Sequence, residues 1–117
     1  MNNDQAIQRL VELLFPNWVV EDALLLRWNR GGGVQIEFRP DHASDHVVMV
    51  LDTMAGRGYR TFHYEPAPQG GMTAHFGNPA LAVTHPTSWK HAMVRAAIAQ
   101  LDPPPPALPL AAPAAGS

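Results

Sequence analysis

Residues 38–59, FRPDHASDHVVMVLDTMAGRGY, contain the start, the body and the end of one helix, and the prediction of the fold is built around them. Pro40 and Asp41 break a preceding strand, and either Asp41 or Ser44 can accept hydrogen bonds from the first free N–H groups of the helix. Apolar residues then recur at helical spacing, and the buried stripe is expected to be Ala43, Val47, Val50, Leu51 and Met54. Gly56 and Gly58 end this helix.

Downstream of this helix the sequence predicts a β-hairpin, with strands over residues 59–64 and 72–77 and a loop over residues 65–71. Phe62 and Tyr64 are expected to share one face with Ala74 and Phe76. The opposite face then carries Thr61, His63, Thr73 and His75. Two histidines therefore lie side by side on one predicted polar face.

The rest of the C-terminal part contains a short apolar segment, residues 81–83, which can add a fifth strand. A last helix begins at residues 86–88, where Ser88 can cap it. The inward positions of this helix are expected to be Met93, Val94, Ala97, Ile98 and Leu101. Its outward positions are expected to be Lys90, His91, Arg95 and Asp102. Residues 103–117 are rich in proline and alanine and carry no charge, so they are predicted to form a flexible tail.

Upstream, residues 2–4 can cap a first helix that ends at Pro16. Residues 17–28 fit either a helix or a strand, and a strand over residues 23–28 is favoured because β-branched and aromatic residues crowd there. Asn29, Arg30 and three glycines predict a turn, and residues 34–39 alternate as a half-buried strand does. The expected fold is α+β in the order α-ββ-α-ββ(β)-α. It would be a single domain over residues 1–102, with a mainly antiparallel sheet sandwiched by helices.

The amino-acid composition disfavours several classes of function. The net charge is −2 and the sequence pI is about 6.3, so the chain lacks the basic excess of a non-specific nucleic-acid binder, and nucleic acid is a disfavoured partner. The absence of cysteine excludes disulfides and thiol catalysis. No apolar run approaches the ~20 residues that a membrane helix requires, and no leader pattern precedes residue 10. We expect a soluble cytoplasmic protein.

From Phe38 to Leu101 the chain resembles the phage ABA sandwich domain. The resemblance rests on FRPDHASDHVVMVLDTMAGRGY and on MTAHFGNPALAVTHPTSWKHAMVRAAIAQL, which has the strand, short alanine-rich strand, Thr/Pro turn and closing helix of that family. It implies helices packed on a sheet, a viral origin and a place in the cytoplasm of a bacterial host. It implies no activity and assigns no residue roles.

His42 and His46 are one helical turn apart and could hold one divalent metal, with Asp41 or Asp45 as a third ligand. There is no glutamate between them as in the HExxH motif, and His42 could lie in the capping turn. Exposed histidines at the start of a helix are therefore the favoured interpretation, and a metal is the weaker one.

Three other groups of residues could bind a ligand or partner. His63 and His75 could form a polar ligand surface or a proton-transfer pair. The favoured interpretation is that a helix covers this face and that the two histidines hydrogen-bond inside the sandwich, because no nucleophile or carboxylate is predicted beside them. Arg30, Arg57 and Arg60 lie beside glycine-rich turns whose N–H groups could hold a phosphate, with solvated arginines as the plainer alternative. Trp28 and Tyr59 could stack on a base beside those arginines.

No catalytic residues or cofactor are predicted. The leading expectation is a small non-enzymatic phage accessory protein that binds a host or phage protein and inhibits a bacterial defence system. The alternative is a small-ligand binder, such as a sponge for a signalling nucleotide. A metal-dependent hydrolase built on His42 and His46 is third, and a two-fold homodimer would suit any of the three.

Overall fold

The computed structural model of the protein describes residues 2–102. Three α-helices are present there: α1 over Asn3–Leu14, α2 over Ser44–Gly56 and α3 over Trp89–Leu101. The predicted cap of α1 is confirmed, because Asn2 Oδ1 accepts from Gln5 N at 2.8 Å while Gln5 Oε1 accepts from Asn2 N at 2.9 Å. Ser88 caps α3 as expected, through the N–H of His91. The predicted flexible tail lies outside the described residues.

The start of α2 differs from the prediction. Its N-cap is Ala43, which has no side-chain oxygen to offer, and neither Asp41 nor Ser44 caps it. Asp41 is instead buried against Arg39 ahead of the helix. Its carboxylate is used in a tertiary contact, which local spacing could not indicate.

The first sheet contains β1 over Val19–Asp22, β2 over Arg27–Asn29 and β3 over Gln35–Glu37, paired antiparallel in that order. The strand predicted over residues 23–28 is confirmed only at Arg27 and Trp28, which belong to β2, because residues 23–26 form the turn that separates β1 from β2. Leu26 has a positive φ of 52° and a buried side chain, so the chain reverses here around an anchored leucine. The glycine turn before β3 is confirmed, since Gly31, Gly32 and Gly33 all have positive φ.

The second sheet contains β4 over Phe62–Pro66, β5 over Met72–Phe76 and β6 over Val83–His85, again antiparallel in chain order. A short 3-10 helix, Pro79–Leu81, occupies part of the segment predicted as a fifth strand, and β6 follows it. The predicted hairpin register is confirmed, with Phe62 opposite Phe76 and His63 opposite His75. Ala74 and Phe76 are buried on the face that packs against α3.

One hydrophobic core joins the three helices to both sheets. Helix α3 lies at its centre, packed on β5 and β6 and against α1. Trp28 and Phe38 supply the aromatic part of the core beside α1, with their rings meeting edge to face at 6.5 Å. The α+β prediction is therefore confirmed, and the antiparallel strands form two three-stranded sheets.

Candidate functional site

His63 and His75 lie where the hairpin register predicts, directly opposite each other on β4 and β5. Their rings are stacked with centroids 5.1 Å apart. Because α3 packs on the Ala74 and Phe76 side of this sheet, side-chain alternation places the histidines on the other side. The favoured prediction that a helix covers these histidines is wrong, because α3 packs on the opposite face; His63 is exposed and His75 is half-buried.

A cleft of about 200 Å³ opens beside this histidine pair. It is lined by His63, Tyr64, Glu65, Thr73, His75, Pro79 and Ala82. Nδ1 of His75 is buried and has no hydrogen-bond partner among the described residues. A wider, more open recess of about 530 Å³ adjoins it at Thr73, where the loop after β4 faces β6.

The three candidate arginines do not converge on one site. Arg30 lies over the ring of Trp18, with its guanidinium carbon 5.5 Å from the ring centroid. Arg57 donates to the carbonyl oxygen of Leu14 at 3.4 Å, where it helps to satisfy the end of α1. Arg60 is exposed after the end of α2. Two of the three therefore have structural contacts that the sequence did not indicate.

The predicted stacking role of Trp28 is contradicted by its burial. Its side chain is only 2% exposed, so no base can reach its ring without opening the core. Tyr59 is half-buried and packs against the same core. It follows the end of α2, and its N–H donates to the carbonyl oxygen of Met54 in the last turns of that helix. These residues hold the fold together beside the arginine turns rather than presenting flat surfaces.

The premise of the His42 and His46 metal site, a continuous helix through both residues, is wrong because α2 begins at Ser44. Nδ1 of His46 accepts the N–H of Arg39 at 2.9 Å, and its ring packs against Phe38 at 5.3 Å. His42 is 71% exposed and faces Asp41 instead. Within residues 2–102, no group of three or more His, Asp or Glu side chains is placed to hold a metal ion.

A buried polar cluster around Asp41 was missed by the sequence analysis. The Asp41 carboxylate is 1% exposed and accepts from Arg39 Nε at 3.3 Å and Nη2 at 3.1 Å. Nε2 of His42 and Nε2 of His91 lie 3.4 Å and 3.5 Å from its Oδ2. His91, expected to face outward from α3, is therefore mostly enclosed, and its ring stacks on His85 at 4.6 Å.

The surroundings of this cluster shift the pKa values of His91, His85 and Arg39. Burial lowers the pKa of His91, and the nearby Asp41 carboxylate opposes this in part. Burial and the positive charge of Arg95 lower the pKa of His85. The hydrogen bonds that Arg39 donates to the Asp41 carboxylate raise the pKa of Arg39. The cluster is thus an internal tie between the segment before α2 and the start of α3, and the neutral forms of His85 and His91 are favoured.

The first sheet carries a different feature, which we call the first-sheet apolar surface: Val19, Val20, Leu24, Leu25 and Val34. These five are among the seven large hydrophobic residues that are exposed in the described chain. Leu24 is 90% exposed, Val19 64% and Val20 55%. Among residues 2–102, strand β1 pairs with β2 alone, so its other edge presents unpaired backbone groups beside Val19 and Val20.

A signal for this surface is present in the sequence. Val19, Val20, Leu24 and Leu25 are four large apolar residues within seven positions, more than one short strand can turn toward a core. The Asp41 cluster has no such signal, because it depends on α3 docking beside residues 39–42.

Comparison of the chain with protein-family models, curated proteins and solved structures finds no match. The phage resemblance therefore stays a prediction.

None of the helices among residues 2–102 combines the length and the apolar character that crossing a membrane requires.

Proposed function

We propose that this chain is a non-enzymatic binding protein that holds a protein partner on the first-sheet apolar surface. The observation that carries the proposal is the concentration of exposed valine and leucine beside the free edge of β1. Single exposed apolar side chains are ordinary on soluble domains, but several large ones on one short sheet typically mark an interaction site.

The free energy available from burying these side chains is large enough to contribute to partner binding. Burying a valine or leucine side chain contributes about 1.5–3 kcal/mol relative to leaving it exposed. Val19 and Val20 are consecutive on β1 and point to opposite faces of the sheet, so a partner that covers the edge of this strand can contact both, and each would offset part of the cost of association. The free edge of β1 adds a second mode of contact, because an extended partner segment can pair with its N–H and C=O groups.

The identity of the partner rests on the resemblance to the phage ABA sandwich domain. On that basis we propose a phage accessory protein that acts in the bacterial cytoplasm and inhibits a host defence system by binding one of its proteins. Neither the fold nor the comparisons bear on this part.

The test is capture of a stoichiometric partner from a bacterial lysate, with a photo-crosslinking residue in place of Leu24. The double variant Val20→Asp, Leu24→Asp should lose the partner, since two desolvated carboxylates would oppose docking. Val48→Asp is the matched control, because Val48 is 52% exposed on α2, outside the surface. Retention of the partner by the double variant, or equal loss in the control, would contradict the proposal.

A second candidate, a small-ligand binder, has the cleft beside His63 and His75 as its specific observation. At about 200 Å³ the cleft is smaller than the roughly 300–1,000 Å³ of ordinary small-molecule sites. Its one charged lining residue is Glu65, which repels phosphate. A nucleotide sponge is therefore the weaker proposal. Calorimetric titration with cyclic and linear nucleotides tests it, and flat titrations would remove it.

A further inference from the structure

We infer that the outer face of the second sheet binds a divalent transition-metal ion between His63 and His75. The inference does not depend on the first-sheet apolar surface, which belongs to the other sheet. Its starting point is the register of β4 and β5, which sets the two imidazoles opposite each other with ring centroids 5.1 Å apart. Both ligands come from hydrogen-bonded strands, so little backbone entropy is lost on binding.

The unpaired nitrogen of His75 points to a ligand. Its Nδ1 is buried and lacks a hydrogen-bond partner among the described residues. Burying a polar atom without a hydrogen-bond partner is unfavourable, so native structures nearly always supply one. Because this nitrogen is shielded from solvent, a metal ion bound at the histidine pair satisfies it only when the ring of His75 turns toward the ion or toward a bound water.

Charge selects a cation over an anion. The cleft beside the pair has Glu65 as its one charged lining residue, on the same strand and the same face as His63. A phosphate or carboxylate ligand would meet this negative charge with no lining arginine or lysine to offset it. A divalent cation is attracted by the same charge.

The volume of the cleft and the chemistry of imidazole ligands limit which cations can bind. The cleft of about 200 Å³ accommodates an ion with several waters, each of which takes about 30 Å³. Imidazole nitrogen suits zinc, copper and nickel, whereas calcium and magnesium prefer oxygen ligands. Nitrogens that share one zinc ion at about 2.0–2.1 Å lie roughly 3.3 Å apart, so metal binding requires the two stacked rings to rotate until their nitrogens face a common point.

The site has two protein ligands and completes its coordination with water. This follows because no group of three His, Asp or Glu side chains among residues 2–102 is placed to hold a metal ion. Glu65 contributes its charge and can hydrogen-bond a bound water. An open site of this kind binds more weakly than the closed four-ligand sites that hold structural zinc.

The test is calorimetric titration of Zn²⁺ and Cu²⁺ into tag-free protein, with the copper spectrum reporting nitrogen ligands. His75→Ala and His63→Ala should each weaken binding at least about tenfold, since even outer-shell partners of metal ligands cost roughly 10- to 100-fold when removed. His42→Ala is the matched control, because it removes an exposed histidine that lies outside the pair and beside Asp41.

Circular dichroism shows whether each variant folds, and the exposed His63 provides a variant that leaves the half-buried ring in place. The parent should gain thermal stability in saturating Zn²⁺, and the two pair variants should not. Absence of Zn²⁺ and Cu²⁺ binding to the parent overturns the inference. So does binding that survives both pair changes and is lost in His42→Ala. The Val20→Asp, Leu24→Asp variant should bind the metal normally, which separates this site from the proposed partner surface.

Discussion

Oδ2 of Asp41 lies 3.5 Å from Nε2 of His91, and this contact ties the segment before α2 to the first turn of α3. Arg39 holds the same carboxylate through two N–H groups, and Lys90 donates to the carbonyl of His42 at 2.9 Å. The N-terminus of α3 is therefore fixed by polar contacts at the point where the apolar core ends. Removing the carboxylate should loosen both segments at once.

Asp41→Asn is expected to destabilise the fold by about 1–3 kcal/mol, because a buried acceptor is lost and Arg39 and His91 keep no ionised partner there. The free energy of unfolding from urea titration measures this. The exposed Asp52 on α2 gives the control, and Asp52→Asn should change stability by less than about 0.5 kcal/mol. Equal effects of the two changes would show that Asp41 has no special structural role.

Stability should also depend on pH through His85 and His91. Their pKa values are lowered in the folded protein, chiefly by burial, while an unfolded histidine titrates near 6.5. Between about pH 6.5 and the lowered folded values, the unfolded chain binds more protons, so the free energy of unfolding must fall as the pH falls. The stabilising contribution is complete above that window and is lost through it.

The double variant His85→Gln, His91→Gln should flatten this pH dependence, as measured by urea unfolding at about pH 7.5, 6.5 and 5.5. Arg95→Gln should flatten it in part, because the positive charge of Arg95 lowers the pKa of both histidines. A slope that is the same in the parent and the double variant would assign the pH dependence to other groups.

Local chemistry was enough to predict much of the fold. Asn2 and Ser88 cap their helices because a side-chain oxygen at that position meets free N–H groups within three residues. The hairpin register followed from alternation alone. The first sheet was harder, because Leu24 and Leu25 are apolar residues in an exposed turn, which continues an apolar run that a strand would also produce.

The candidate sites also divide into those that the local sequence predicts and those that depend on tertiary packing. His63 and His75 meet as predicted, because both lie on one hairpin. Trp28 was expected at a ligand surface but is buried, and His91 was expected in solvent but faces Asp41. Those two outcomes depend on how α1 and α3 pack against distant segments, and no local pattern carries that information.

Gly71 should be far less tolerant of a side chain than its neighbour Gly70, although both have positive φ. A Cβ on Gly71 would meet the carbonyl oxygen of His85 and lie 2.9 Å from Cα of Pro86, both backbone atoms, whereas a Cβ on Gly70 has nothing within 4 Å. Gly70→Ala is expected to cost about 1–2 kcal/mol for its backbone conformation. Gly71→Ala should cost a further ~1–3 kcal/mol for the clash, measured by thermal and urea unfolding. Similar losses in both would mean that β6 is not held against this loop.

Trp28 and Leu24 provide the sharpest contrast between core and surface in the first sheet. Trp28→Ala should cost about 3–5 kcal/mol, since it removes a 2% exposed ring that packs on Phe38. Leu24→Ala should change stability by less than about 0.5 kcal/mol, because Leu24 is 90% exposed. The two variants are compared by urea unfolding, and by partner capture for Leu24→Ala, which should weaken capture while stability is unchanged. A stable Trp28→Ala variant would contradict the placement of β2 in the core. A strongly destabilised Leu24→Ala variant would mean that the leucine is buried in the folded chain, and the first-sheet apolar surface would lose its most exposed member.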